Sequence, residues 1–134
     1  MKTFLIAYAS AIVSMLAIDL VWLSLTMKPF YQKYIGHLLA ETPSILPAVI
    51  FYLIFIFGLT FLVINPALTG NFSYLKLFLY GALFGLIAYA TYDLTNQATM
   101  KNWPIIVTVV DLIWGSLLTG TVAVIAKFVT KFFS

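Results

Sequence analysis

Apolar positions run through this chain in four long blocks, about 3 to 26, 46 to 66, 75 to 99 and 104 to 127, each interrupted by very few charges. Each block reaches the roughly 20 residues that an α-helix needs to cross a hydrocarbon core about 30 Å thick. The pattern predicts an all-α protein, a polytopic transmembrane four-helix bundle forming one integral membrane domain over residues 1–134, with no room for a soluble domain. The first block opens Met1-Lys2-Thr3 and carries the small-residue string Ala7-Tyr8-Ala9-Ser10-Ala11, which raises a cleaved signal peptide as a reading. The apolar run before that string is too short for a signal core and apolar residues continue to Thr26, so an uncleaved helix is expected.

Only one connection is long. In "KPFYQKYIGHLLAETPS", residues 28–44, Phe30, Tyr31, Tyr34, Ile35, Leu38 and Leu39 recur at three- and four-residue spacing, with Gln32, Lys33, His37 and Glu41 mostly between them. That periodicity predicts a short interfacial helix between spans one and two, opened by Pro29 and ended by Thr42-Pro43. An aromatic belt on an irregular loop is the alternative. In the third block Gly81 and Gly85 stand four apart, a spacing that lets membrane helices approach closely, within the chain or in a homodimer. A weak duplication also shows: "DLVWLSLTMKP" at 19–29 can be laid on "DLTNQATMKNWP" at 93–104, pairing spans one and two with three and four.

Composition sharpens the class: 63% of residues are hydrophobic and 8% charged. With no cysteine, disulfides, thiol nucleophiles and cysteine metal sites are excluded. All seven basic residues are lysines near span ends, Lys2, Lys76, Lys127 and Lys131 on the N-terminal side against Lys28, Lys33 and Lys101 on the other. The positive-inside rule then puts both termini in the cytoplasm, by four to three, in an inner (plasma) membrane. No basic patch is interleaved with aromatics, so the partner expected is the lipid bilayer and not nucleic acid.

The acidic residues carry the candidate chemistry. Three of the four, Asp19, Asp93 and Asp111, fall inside predicted spans, and only Glu41 lies in a connection. Counted from the span ends, each sits roughly 9 to 10 Å in from the same face at about 1.5 Å per residue. A charged residue facing lipid costs at least about 2.5–3.5 kcal/mol near a helix centre, so the three are expected to face inward as neighbours. No arginine exists, and the one histidine, His37, is in the connection. The acids must then hold or share protons, be solvated by water and neutral donors, or bind an external cation. Tyr89, Asn96 and Gln97 share the helical face of Asp93, Thr108 and Trp114 that of Asp111, and Trp22 that of Asp19. With spans one and four antiparallel, the two indoles are expected to bracket a layer of acids. These nine residues form the candidate ligand- or ion-binding set. If a metal is held, Asp19, Asp93 and Asp111 hold it, and an all-oxygen set suits a hard cation. The bland reading makes the aspartates hydrogen-bonding glue between helices, worth about 0.6–2 kcal/mol each.

The strings "IDLVWL", "YDLTN" and "DLIWG" resemble those of a family of small bacterial four-helix membrane proteins, the domain of unknown function 2177 family, over essentially the whole chain. The resemblance implies the fold and marks Asp19, Asp93, Asn96 and Asp111 as family-type positions, and it implies no activity. The residues point first to a transporter or membrane-embedded binding protein for a proton, a cation or a small cationic or amphipathic ligand. A non-catalytic subunit or lipid-organising protein is the alternative, and an intramembrane enzyme acting on a lipid-soluble substrate the second. Against the enzyme stand the missing cysteine, the peripheral histidine and the lack of any hydrolase or phosphate-loop motif.

Overall fold

The computed structural model describes residues 1–134. Its elements in order are α1 (Lys2–Thr26), a π-helical turn (Met27–Tyr31), α2 (Gln32–Ile35), a 3₁₀ turn (Gly36–Leu38), α3 (Ile45–Leu59), a second π-helical turn (Thr60–Ile64), α4 (Asn65–Thr69), α5 (Tyr74–Thr99) and α6 (Ile105–Phe133). Four continuous helical paths are long and apolar enough to cross a membrane: Lys2–Leu38, Ile45–Thr69, Tyr74–Thr99 and Ile105–Phe133. The chain is an all-helical membrane protein.

Two prolines account for the two wide turns. Proline has no N–H to give the carbonyl four residues back, so an α-helix passing through Pro29 or Pro66 loses a bond and clashes. Here the path widens instead. The Gln32 N–H donates to the Met27 carbonyl and the Asn65 N–H to the Thr60 carbonyl, both five residues back. This corrects the expected interfacial helix: Pro29 does not open a separate element but lies within a helix continuous with α1, and that helix ends at Leu38, before Thr42-Pro43. Residues 39–44 form the irregular link to α3.

α6 lies at the centre of the bundle, with α5 packed along it most extensively and α1 next. Helices in lipid gain nothing from hydrophobic exclusion and associate by close packing. Gly81 and Gly85 are both buried against α6 of the same chain, so the face a homodimer through these two would use is occupied here. A Cβ on Gly81 would lie 3.0 Å from the Thr119 carbonyl oxygen, and one on Gly85 would collide with the Gly115 carbonyl and the Thr119 side chain. The α5–α6 turn passes through Asn102 at φ 62°, a left-handed conformation that asparagine tolerates.

Each inward stripe advances in steps of one or two turns and includes an aspartate. On α1 the buried residues are Ala7, Ala11, Met15 and Asp19; on α5, Leu77, Gly81, Gly85 and Asp93; on α6 the stripe passes through Val107, Asp111, Gly115 and Leu118. The main apolar core, containing Met15, Ile56, Leu59, Leu77 and Leu118, fills the half nearer the termini. A second small cluster of Tyr31, Ile35, Trp103 and Val107 closes the other end. The aspartates lie where the two packings meet.

Candidate functional site

Asp19 and Asp111 are held across helices. One oxygen of Asp19 accepts from Trp114 Nε1 at 3.2 Å, and the other accepts from the Tyr52 hydroxyl of α3. Asp111 Oδ1 accepts from the Tyr31 hydroxyl at 2.6 Å, and that hydroxyl accepts in turn from Trp22 Nε1 at 3.2 Å. The Trp22 and Trp114 rings stack with centroids 4.2 Å apart and planes 9° from parallel. The expected bracket of two separate rings is therefore corrected. Because α1 and α6 run antiparallel, two Asp-x-x-Trp segments brought side by side meet at their indoles; Trp114 donates directly to Asp19, and Trp22 reaches Asp111 only through the Tyr31 hydroxyl. The stacked indole pair joins the two hydrogen-bonded groups, one on Asp19 and one on Asp111.

Around it is a cavity of about 360 Å³. Asp19 and Asp111 stand in its wall, together with all three of the chain's tryptophans, Trp22, Trp103 and Trp114, and with Tyr31, Tyr52, Tyr89 and Tyr92. No lysine or histidine lines it. On the side of the 27–44 connection it shares Met27 and Leu39 with a depression of about 610 Å³ that also touches Gln32 and Glu41. The fourth acidic residue of the chain thus stands at the mouth.

Asp93 is different. It is 0% exposed, lies beside Asp111, and neither of its oxygens has a hydrogen-bond partner. An ionised carboxyl in that setting leaves its desolvation uncompensated, at a cost of several kcal/mol. The three aspartates do not converge into a group that could hold one metal ion. Of the other candidates, Trp22, Trp114 and Tyr89 line the cavity. Thr108 instead accepts from Trp103 Nε1 at 3.0 Å and orients that ring. Asn96 neighbours Tyr92, and neither Asn96 nor Gln97 reaches the cavity wall.

Reading by helical face missed Tyr31, Tyr52, Tyr92 and Trp103. Tyr92 precedes Asp93 in sequence and so points off its face; it reaches the site through an edge-to-face contact with Trp103, at 6.0 Å between centroids. Tyr52 could have been suspected, since two inward carboxylates need donors from the acid-free second span. Two outcomes follow for stability. Tyr31→Phe leaves Asp111 and the Trp22 N–H each short of a partner, and thermal unfolding in nanodiscs should show a loss of about 1–3 kcal/mol. Asp93→Leu removes an unpartnered buried acid and should leave the melting temperature unchanged or raised.

Fold and cavity define a polytopic helical membrane protein with an acidic, aromatic chamber inside the bundle. The chain belongs to the family described as "Predicted membrane protein (DUF2177)", whose model matches residues 4–128. No curated protein and no solved structure matches it.

Proposed function

We propose that this protein is a membrane-embedded binding protein or carrier for a small organic cation, held between Asp19 and Asp111 in the cage of indole and phenol rings. The observation that carries the reading is the composition of the cavity wall: two carboxylates, three tryptophans and four tyrosines, with no basic side chain. Aromatic faces attract ammonium groups, by about 2 kcal/mol or more where water is excluded, and a carboxylate supplies the opposite charge. A bare metal ion wants several oxygen ligands at fixed short distances, and the Tyr31 and Tyr52 hydroxyls are already committed to the acids as donors. Glu41 at the mouth adds a further negative charge on the approach, which favours cations over anions.

The test uses the chain's own tryptophans, since all three stand in the cavity wall. In nanodiscs, choline should change the intrinsic fluorescence saturably, and its neutral carbon isostere should bind at least tenfold more weakly. Equal binding of the two would remove the basis for a cation site.

A further inference from the structure

A second, apolar space adjoins the cavity on the side of α3 and α5. The first part of α3 stands largely free of the bundle: residues 45–51, 53 and 54 are exposed, and Tyr52 reaches in to Asp19. α3 and α5 come together at Phe55 and Phe84, whose rings lie 5.4 Å apart. Toward the connection side of that contact they leave a cleft of about 290 Å³ between Phe51 on α3 and Ala88, Tyr89 and Tyr92 on α5. Its lining is almost wholly apolar, and Tyr89 and Tyr92 also line the acidic cavity, so the two spaces meet at these rings.

We infer that the ligand is an amphiphile with a cationic head and an apolar tail, which comes from the bilayer through the α3–α5 cleft, leaves its tail between Phe51 and Ala88, and puts its head among the aromatic rings beside Asp19. This rests on the proposed cation site and adds the tail and the route. A ligand arriving from water alone would need only the Glu41 side of the cavity. Three features favour the tail as occupant of the cleft. The cleft adjoins the cage across the shared rings of Tyr89 and Tyr92, it carries no charged residue, and it is open on the side away from the bundle. The small side chain of Ala88 keeps it open, and a longer one there would fill it.

The experiment compares tetramethylammonium with dodecyltrimethylammonium in the wild type and in Ala88→Phe, both in nanodiscs of one lipid composition so that partition of the tail into lipid is common to both. Ala88→Phe should weaken dodecyltrimethylammonium about tenfold and leave tetramethylammonium within about twofold. An equal effect on both ligands, or on neither, overturns the inference. A second measurement needs no variant: dodecyltrimethylammonium bearing a photoreactive group at mid-tail should label Phe51, Ala88, Tyr89 or Tyr92 in the wild type, and excess unmodified amphiphile should block the labelling. Labelling elsewhere, or labelling that excess does not reduce, also overturns it. Saturable binding of tetramethylammonium with no tail effect would leave the cation site standing and remove only the route. Failure of both ligands to bind would remove the two together.

Discussion

Exchanging Asp19 for asparagine is expected to weaken organic-cation binding about thirtyfold or more. Removing one member of a desolvated charge pair costs about 2–5 kcal/mol, and about 1.4 kcal/mol is a factor of ten in Kd. Asparagine keeps a carbonyl oxygen for the Trp114 N–H and turns its amide N–H toward the Tyr52 hydroxyl, which can rotate to accept, so the bundle should close as before. Tryptophan fluorescence titration gives the Kd, and thermal unfolding in the same nanodiscs reports the fold. A variant that binds choline as the wild type does would reduce Asp19 to an inter-helix hydrogen-bonding residue.

The second large effect is on assembly of the bundle. Gly85→Ala places a methyl group on a backbone carbonyl, that of Gly115, and on Thr119, neither of which can swing away. Overpacking of this kind costs typically about 1–3 kcal/mol where side chains can adjust. Here α5 and α6 must separate, so the loss should lie at or above the top of that range. Gly36→Ala is the matched control, because a Cβ there meets only the Gln32 Cβ at 3.9 Å. Thermal unfolding and the monodisperse yield from detergent should fall for Gly85→Ala and hold for Gly36→Ala. If both variants behave like wild type, close approach at Gly85 contributes little to the fold.

These two residues illustrate what could be read from the chain in advance and what could not. Asp19, Asp93 and Asp111 could be placed inside the bundle by a solvation argument alone, because lipid gives a carboxylate no alternative. Tyr89, Trp22 and Trp114 followed by helical spacing. The pairing did not, since spacing relates residues of one helix while the bonds that hold the site span 80 residues from Tyr31 to Asp111 and 95 from Trp114 to Asp19. Nor could depth counts separate Asp93, which lies beside Asp111 but outside the cavity wall. The continuation of α1 past Pro29 was hidden for a related reason: a proline marks a break in an α-helical ladder, and a π turn changes the ladder. The suggested duplication fares unevenly. Thr26-Met27-Lys28 continues a helix, whereas Thr99 ends one and Met100 is extended.

The exchanged tryptophans also constrain motion. Sliding α6 along α1 by one helical turn, about 5.4 Å, would unstack the indoles and take Trp114 from Asp19 and Tyr31 from Asp111 at once. Joined to α5 through the glycine contacts, α1 and α6 therefore behave as one frame. The N-terminal part of α3 is held more lightly: its polar ties to α1 are the Tyr8 hydroxyl on the Leu53 carbonyl and the Tyr52 phenol on Asp19, the carboxylate that a cation would claim. On the proposed reading, a cation that draws the Asp19 charge toward itself would loosen Tyr52 and leave the Tyr8 bond to the Leu53 carbonyl as the polar tie of this part of α3 to α1.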